Sequence, residues 1–332
     1  MNASTQIHLR RSTDEDRHEV VDVCRRALRW ADGDRDAAFF QWKHFENPFG
    51  ASPVWVAVDD VADEGQMIVG VRAMMRWQLA GEGGRSRSMA RAVDTATLPS
   101  HQGQGIFKQL TLAAVDELAS EGTEAIFNTP NDQSRPGYLK MNWEEVGRVP
   151  IVVRPRSLRS LGVIARSRVA AEKWGEPTTV GISPTDALAD ADEIDRALTN
   201  RPPPNGWSTP LSVGYLRWRT GFEPLACRIE PLGTSLADGF VVFRIRKRGP
   251  MRQLSVLHVV STSRNGARAT IRSLMDATNA DLAMASGQEL GLGAGMIALP
   301  AAGPILTWRR LGSDPSPTMN DLALQLGTIE LF

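Results

Sequence analysis

The feature that most constrains the fold is a strand, a glycine turn, a helix and a second strand between residues 88 and 129. Residues 88–97 (SMARAVDTAT) have the composition of a strand. Gly103 and Gly105 follow, and residues 106–120 place their apolar side chains at helical spacing. Residues 124–129 (EAIFNT) then resume the strand pattern. This order predicts an α/β fold whose backbone comes close to a ligand at the glycine turn.

Two strand-like runs come before this segment, at residues 54–60 (VWVAVDD) and 67–80 (MIVGVRAMMRWQLA). Together with residues 88–97 they predict an antiparallel meander. Upstream, residues 13–16 (TDED) offer a helix N-cap and an acidic first turn. Cys24 falls on the inward face of that helix, so we expect it in the core.

A weak repeat relates the two halves of the chain. Residues 39–48 (FFQWKHFENP) and 215–224 (YLRWRTGFEP) each carry a Trp six positions before a Pro. In the second half, residues 253–260 and 281–286 would form strands around a helix, and ILTWRRLG would correspond to LKMNWEEVG. The pattern favours a duplication over two unrelated α/β domains.

Composition narrows the class of protein. A length of 332 residues favours two domains. The 38 basic and 38 acidic residues cancel, so no net charge attracts a nucleic acid or an anionic membrane. Two distant cysteines, Cys24 and Cys227, and the lack of an 18-residue apolar run predict a soluble cytoplasmic protein with no membrane span. The five histidines have no metal-ligand spacing, so no metal is expected.

The glycine turn has the properties of an anion site. A turn that opens a helix directs several N–H groups and the positive end of the helix dipole at one point, which suits a phosphate or pyrophosphate. The chain contains no G-x-x-x-x-G-K-[ST] loop, and a third glycine is missing from the dinucleotide fingerprint. A different kind of phosphate cradle is therefore predicted.

Two segments carry a family resemblance. Residues 93–110 (VDTATLPSHQGQGIFKQL) resemble the strand and pyrophosphate loop of the GNAT superfamily of acyl-CoA-dependent N-acyltransferases. That loop has Arg or Gln followed by x-x-G-x-G/A, and here Ser100 stands at the leading position. Residues 128–147 (NTPNDQSRPGYLKMNWEEVG) resemble the family's next strand, helix and final strand. The resemblance covers about residues 5 to 150.

The resemblance implies a binding site for acetyl-CoA. In the family, the pantetheine arm enters a splay between two central strands. The residues implied to pair with the arm are Thr95, Ala96 and Thr97, with Asn131 and Ser134 nearby. The residues implied to hold the pyrophosphate are Gln102, Gly103, Gln104, Gly105, Ile106 and Phe107.

The resemblance also implies a general acid. Tyr138 matches the family position that often protonates the departing thiolate. The acid that some members carry on the preceding strand would fall at Met89, which cannot act as a base. Asp94 is the preferred base, and water could serve instead. Further candidate bases are Glu46, His101, Asp132 and, as in the tandem-domain enhanced intracellular survival type, the terminal carboxylate of Phe332.

We expect an α/β (α+β) chain of two GNAT-like domains, each with a mixed, mainly antiparallel sheet flanked by helices. The predicted boundaries are residues 1–150 for the acyl-CoA-binding catalytic domain, 151–205 for a linker and helical segment, and 206–332 for a degenerate second domain. The second half has only Gly266 at the equivalent turn. Its expected task is to complete the substrate cleft, to form an oligomer contact such as a homodimer interface, or to give ordinary structural support.

The expected activity is transfer of an acetyl group from acetyl-CoA to a primary amine by direct attack in a ternary complex. A small-molecule acceptor is preferred, with aminoglycosides or aminosugars, polyamines, amino acids and protein amines left open. Trp42, Phe45 and Phe49 either wall the acceptor pocket or pack in the core. Two rival functions are aminoacyl transfer of the FemABX-like type and a non-catalytic acyl-CoA sensor.

Overall fold

The computed structural model describes residues 7–28, 30, 37–61, 65–262, 266–287, 290, 295–299 and 302–329. The strands are β1 (Ile7–Arg11), β2 (Val54–Val61), β3 (Gly65–Ala80), β4 (Ser86–Thr97), β5 (Ala125–Asn128), β6 (Glu144–Arg148), β7 (Ile151–Pro155), β8 (Arg228–Pro231), β9 (Gly239–Arg248), β10 (Met251–Ser261), β11 (Leu282–Ser286), β12 (Ile297–Leu299) and β13 (Ile305–Arg310). The helices are α1 (Arg17–Leu28), α2 (Ala37–Phe45), α3 (Ile106–Ser120), α4 (Arg135–Lys140), α5 (Leu158–Arg166), α6 (Pro184–Ala187), α7 (Ala191–Asn200), α8 (Val213–Gly221), α9 (Ala267–Ala277) and α10 (Leu326–Ile329).

Helix α3 follows the glycine turn with the predicted bounds, because its apolar residues recur every three or four positions. Ile106, Leu110 and Leu118 are fully buried on the side that faces the sheet. The helix ends before Gly122, whose φ of +83° is a left-handed conformation that favours glycine. Cys24 of α1 is buried in the same core, as predicted.

The chain forms two compact units. The first contains residues up to Leu79, Ser86–Val146 and Leu306–Ser316, and the second contains Ala80–Arg85, Gly147–Ile305 and Pro317–Phe332. Each unit is built on one sheet flanked by helices. Pairing in both is mainly antiparallel, which confirms the predicted fold class.

The first sheet has the order β1-β2-β3-β4-β5-β13-β6. Strand β1 pairs antiparallel with β2, and β2 pairs antiparallel with β3. The second of these pairings confirms the first part of the predicted meander. Strands β4 and β5 pair in parallel. A parallel pair needs a crossover connection, and α3 supplies it.

Strand β13 differs from its predicted place. The sequence assigned ILTWRRLG to the second domain, whereas Thr307, Trp308, Arg309 and Arg310 pair antiparallel with β5 in the first sheet. The Trp308 ring stacks on the Phe127 ring at a centroid distance of 6.1 Å. Alternation along a strand shows which of its faces is buried, but it does not show which sheet receives the strand.

Residues 151–205, predicted as a linker with a helical segment, contain a sheet strand. Strand β7 pairs antiparallel with β11 on one side and with β12 on the other. Ile151, Val152 and Val153 are all buried. A short apolar run of this kind is consistent with either a strand or a helix segment, so periodicity could not identify β7 as a strand. The helix predicted near residues 192–198 is present as α7.

The second sheet has the order β12-β7-β11-β10-β9-β8. The strand, helix and strand predicted from the repeat are present as β10, α9 and β11. Strands β10 and β11 pair in parallel from Gln253↔Leu282 to Ser255↔Met284, after which β10 continues to Ser261. Among the described helices none is long and apolar enough to cross a membrane.

The C-terminal segment, defined here as residues 322–329, packs inside the second unit. The Ser286 hydroxyl at the end of β11 donates a hydrogen bond to the Leu324 carbonyl. On β10, the His258 ring contacts the Gln325 side chain through Nδ1, and Gly327 lies against the same ring. The segment therefore touches both strands beyond their last shared pair and fills the opening between them.

The burial of His258 makes the stability of the second unit depend on pH. Burial lowers the pKa of this fully buried histidine to about 3, and the charges of Arg219 and Arg201 add to the effect. The unfolded histidine titrates near pH 6.5, so the stabilisation is complete above that pH and is lost as the pH falls towards the folded pKa.

We expect the free energy of unfolding to fall by about 1.4 kcal/mol per pH unit from this group between about pH 6.5 and about pH 3. Equilibrium urea unfolding at several pH values measures this slope. In His258→Gln the slope should decrease by that amount, and an unchanged slope would contradict the prediction.

Candidate active site

Strands β4 and β5 separate partway along their length. Their register pairs run from Met89↔Ala125 to Arg91↔Phe127. Strand β4 continues for six more residues to Thr97, while β5 ends at Asn128. The second half of β4 therefore has no β5 partner in the described chain, and its backbone edge is open to an extended ligand. This separation matches the splay that the family resemblance implies.

Asp94 lies in this unpaired half of β4 and has an unusual backbone. Its φ is +20°, a value that a non-glycine residue in a strand rarely adopts. Its carboxylate accepts hydrogen bonds from Lys43 Nζ at 2.7 Å and from His44 Nε2 at 2.8 Å, both on α2. The side chains of Lys43 and His44 are 2% and 0% exposed. These buried contacts hold the strand in its kinked conformation.

The electrostatics of this cluster favour a structural role for Asp94. Burial by itself would raise the pKa of Asp94, but the Lys43 ammonium and the His44 ring outweigh it and hold the pKa well below its usual range. Burial lowers the pKa of His44, against the opposing effect of Asp94. A carboxylate with such a low pKa is a weak proton acceptor at neutral pH. Asp94 is better suited to positioning β4 than to acting as a base.

The glycine turn forms an open cradle of backbone amides. Gly103 and Gly105 have φ values of +81° and +78°. A Cβ on Gly103 would meet no atom within 4 Å, and one on Gly105 would meet only the Gln109 side chain at 3.6 Å. In this fully described stretch, the N–H groups of residues 103–108 have no hydrogen-bond acceptor. The turn thus presents free donors and empty space at the start of α3.

Side chains around the cradle hold the loop and leave those amides free. Gln102 Nε2 donates to the Thr97 carbonyl at 3.2 Å, and Gln109 Nε2 donates to the Gln104 carbonyl at 3.3 Å. Thr95 Oγ1 contacts the Val71 carbonyl at 3.4 Å. Ala96 is buried. The predicted loop and strand residues are therefore adjacent and ordered around one opening.

Asn131 and Ser134 organise the start of α4. Asn131 Oδ1 accepts from the Ser134 amide and from the Ser134 hydroxyl, both at 2.9 Å. The Arg135 amide donates to the Asn131 carbonyl at 2.9 Å. Because α4 carries Tyr138, this turn sets the direction from which the phenol approaches the loop. A hypothetical Cβ on Gly137 would fall 3.0 Å from the Phe107 ring, so α4 and the first turn of α3 are in close contact.

Tyr138 is buried between two aromatic rings. Its ring makes an edge contact with Phe107 at a centroid distance of 5.5 Å and lies 5.2 Å from Trp143. Arg72 Nη1 donates a hydrogen bond to Tyr138 Oη at 2.8 Å. The phenol is the acceptor in that bond, so its own proton remains available for donation.

Sequence reasoning missed Arg72. The residue lies on β3, beside β4 in the sheet, and its side chain is fully buried. The only signal in the sequence was a charged residue inside the apolar run MIVGVRAMMRW. That pattern also fits an exposed position on a half-buried strand, so it could not identify a contact with Tyr138.

The remaining candidate bases are placed less favourably. His101 Nε2 lies 3.0 Å from an Asp59 carboxylate oxygen, so this ring nitrogen is engaged by that carboxylate. Glu46 is exposed, and the Asp132 side chain is 96% exposed beside Arg135. Met89 is fully buried. The Phe332 carboxylate lies outside the described residues.

The aromatic residues near Asn47 pack mainly within the first unit. Trp42 is buried, and Phe39 lies 5.6 Å from it. The Phe49 ring lies 5.2 Å from the Trp77 ring, and Arg17 covers the Phe45 ring at 4.2 Å. These contacts favour core packing over a pocket wall. Within the described residues no group of three or more His, Cys, Asp or Glu side chains is placed to hold a metal ion.

In the second unit, the parallel strands β10 and β11 also separate after three paired residues, as β4 and β5 do. The two openings differ in what lies between the strands. Between β10 and β11, the C-terminal segment occupies the opening that is free between β4 and β5. A depression of about 460 Å³ elsewhere in the first unit is lined by Asn142, Glu144, Arg309, Arg310, Gly312 and Ser313 and contains none of the cradle residues. The opening next to the cradle is therefore the candidate site.

Comparison with protein families identifies the domain that carries this site. Residues 8–146 match the model of the acetyltransferase (GNAT) domain. This segment belongs to the GNAT family. The match supports an acyl-CoA-dependent N-acyltransferase. It covers the strand splay, the cradle and Tyr138, so every feature of the site lies in the GNAT domain.

Solved structures resemble the fold of nearly the whole chain. A conserved protein of Enterococcus faecalis V583, described as a probable N-acyltransferase, matches 93% of this chain and 73% of its own at 12% identity and a TM-score of 0.64. A GCN5-related N-acetyltransferase from Anabaena variabilis matches 92% and 73% at 12% identity and a TM-score of 0.62. Eis1 from Mycobacterium abscessus matches 92% and 74% at 16% identity and a TM-score of 0.54. At these identities the likeness concerns the fold. No curated protein matches the chain.

Proposed function

We propose that the GNAT domain transfers an acetyl group from acetyl-CoA to a primary amine of a small molecule, by direct attack in a ternary complex. The observation that carries this proposal is the open amide cradle at Gly103 and Gly105 beside the unpaired half of β4. A pyrophosphate needs several donors and no intruding side chain, and the cradle offers both.

The residues of the cradle and strand fit acyl-CoA as a co-substrate. The amides of residues 103–107 would hold the pyrophosphate through charge-assisted hydrogen bonds. The backbone edge of Thr95, Ala96 and Thr97 would pair with the amide groups of the pantetheine arm. An open strand edge is suited to such pairing because its N–H and C=O groups on that side have no β5 partner.

The chemistry then requires alignment and two proton movements. The neutral amine attacks the thioester carbonyl, the carbon–sulfur bond breaks, and the electron pair leaves on sulfur. Tyr138 donates its phenol proton to the thiolate, and the Arg72 guanidinium stabilises the negative charge that develops on the phenol oxygen. Water receives the proton lost by the amine and returns one to the phenolate. Asp94 acts as a positioning residue in this proposal, because its ion pairs keep it from serving as the base.

Each rival function makes a different prediction for binding. A FemABX-like aminoacyl transferase would not need the pyrophosphate cradle, so it would not bind acetyl-CoA. A sensor would bind acetyl-CoA but release no free thiol with any amine. The catalyst should bind one acetyl-CoA per chain, because the C-terminal segment fills the corresponding opening in the second unit. A homodimer and a cytoplasmic location remain predictions of the sequence.

Gly103→Asp tests the cradle directly. The new carboxylate would enter the space reserved for a pyrophosphate and repel it, so the affinity for acetyl-CoA should fall about 10- to 100-fold. Isothermal titration calorimetry measures both the affinity and the number of sites.

Gly122→Asp is the matched control, because Gly122 has a φ of +83° and open surroundings at the other end of α3. Both variants carry the same left-handed strain and the same charge, but only Gly103 lies in the cradle. Equal affinities in the two variants would contradict the proposed binding mode.

A further inference from the structure

Arg72 is a buried cation in the middle of the GNAT domain. Its side chain has no exposed surface. It projects from the same face of β3 as Gly70, where an added Cβ would contact Ile106 and Leu110 of α3. It lies next to the β4 residues that border the opening, since Thr95 Oγ1 contacts the carbonyl of neighbouring Val71. The guanidinium is therefore close to the proposed acyl site.

Only one edge of this guanidinium is used within the described part of the protein. Nη1 donates to Tyr138 Oη, whereas Nε and Nη2 are buried and have no hydrogen-bond partner. Among the described residues no carboxylate forms an ion pair with Arg72. The Tyr138 and Phe107 rings lie 5.4 and 5.9 Å from the guanidinium carbon.

The contacts around the Arg72 guanidinium do not compensate the cost of burying its positive charge. An arginine side chain stays protonated in proteins, and the desolvation of a buried ion costs several kcal/mol. The two aromatic rings return only about 0.5 to 2 kcal/mol each. An anion at the unused edge of Arg72 would supply both the missing hydrogen-bond acceptors and the missing countercharge.

The geometry of that edge selects the kind of anion. The Nε–H and Nη2–H bonds point in parallel from the same side of the planar guanidinium, and this fork matches the two oxygens of a carboxylate. The CoA phosphates are already assigned to the cradle, and the thiolate sulfur can accept the proton of Tyr138. The remaining group that could accept both the Nε–H and the Nη2–H hydrogen bonds is a carboxylate.

We propose that the Nε and Nη2 edge of Arg72 binds a carboxylate carried by one of the two substrates. The inference rests on the proposed function, because it places the carboxylate in a site where an acyl-CoA and an amine meet. The carboxylate belongs either to the acyl group of the donor, as in a dicarboxylic acyl-CoA, or to the amine acceptor, as in an amino acid.

Matched ligand pairs separate these two sources. In the donor arm, succinyl-CoA is compared with butyryl-CoA, which replaces the terminal carboxylate with a methyl group. In the acceptor arm, L-lysine is compared with its decarboxylated form, cadaverine, on protein loaded with CoA. The wild-type chain should bind the carboxylate member of one pair about 10- to 100-fold more tightly. Calorimetry gives these affinities without requiring turnover.

Arg72→Met and Arg72→Lys test the residue itself. Methionine removes the charge and the fork, so the preference for the carboxylate member should disappear while the methyl or decarboxylated member binds with little change. Replacing an unpaired buried ion with an apolar side chain is often neutral or stabilising, so this variant should fold. Lysine keeps the charge without the fork and should retain only part of the preference.

The outcomes distinguish this inference from the function on which it rests. Failure of the wild-type chain to bind any CoA ester would overturn both. Binding of CoA esters with no carboxylate preference in either arm would overturn the inference and leave the acetyl transfer proposal standing. A preference that persists unchanged in Arg72→Met would show that another group binds the carboxylate, and would also overturn it.

Discussion

Tyr138→Phe should lower the turnover number of acyl transfer about 10²- to 10⁴-fold, the usual contribution of a positioned general acid. The phenylalanine ring keeps the contacts with Phe107 and Trp143 but has no proton to give to the departing thiolate. The dissociation constant for acetyl-CoA should change by less than about twofold, because the cradle is untouched. Release of free thiol with a panel of primary amines measures turnover, and calorimetry measures binding.

Tyr215→Phe is the matched control, since Tyr138 and Tyr215 are the only tyrosines in the chain. Tyr215 is also buried, and its hydroxyl contacts His258 in the second unit at 3.4 Å. This variant should keep full turnover. If both variants keep wild-type rates, the protonation of the thiolate does not depend on Tyr138 and the assignment is wrong.

Asp94→Asn should lower the free energy of unfolding by about 3 to 5 kcal/mol, the usual cost of removing one partner from a buried ion pair. The amide leaves the buried ammonium of Lys43 without its carboxylate and weakens the support for the kinked β4 backbone. Equilibrium urea unfolding followed by circular dichroism measures the change. The affinity for acetyl-CoA should fall as well, because β4 borders the proposed pantetheine site.

Asp22→Asn provides the comparison for Asp94→Asn. Asp22 pairs with Arg26 at 3.4 Å on the surface of α1, where both side chains are well exposed. Loss of such a pair costs less than about 1 kcal/mol. If Asp94→Asn lowered the free energy of unfolding by a similarly small amount but greatly lowered turnover, the positioning role would be contradicted. Asp94 would then be supported as the proton acceptor.

The part of the fold that depends on local pattern could be predicted from the sequence. The period of the apolar residues in α3 and the two glycines before it specify a strand, turn and helix, because neighbouring residues alone decide those conformations. The glycine segment and residues 128–147 together led to the family resemblance, and that resemblance implied Tyr138. The repeat likewise predicted the strand, helix and strand of the second half.

The partners of buried polar groups could not be predicted in this way. Arg72 lies 66 positions from Tyr138 in sequence, and Asp94 lies about 50 positions from Lys43 and His44. Nothing in the local pattern around these residues records such distant contacts. A general base was sought at Asp94, and the ion pairs that argue against it are visible only in the folded chain.

The sequence by itself determined the strand, glycine turn and helix of the cradle, since these depend on residues close together along the chain, and the family resemblance implied Tyr138 as the candidate proton donor. Only the tertiary structure decided that β13 joins the first sheet, that the C-terminal segment fills the second opening, and that Arg72 holds Tyr138. The physical reason is that strand pairing and buried charge are settled by contacts between distant segments, whose energies no local pattern contains.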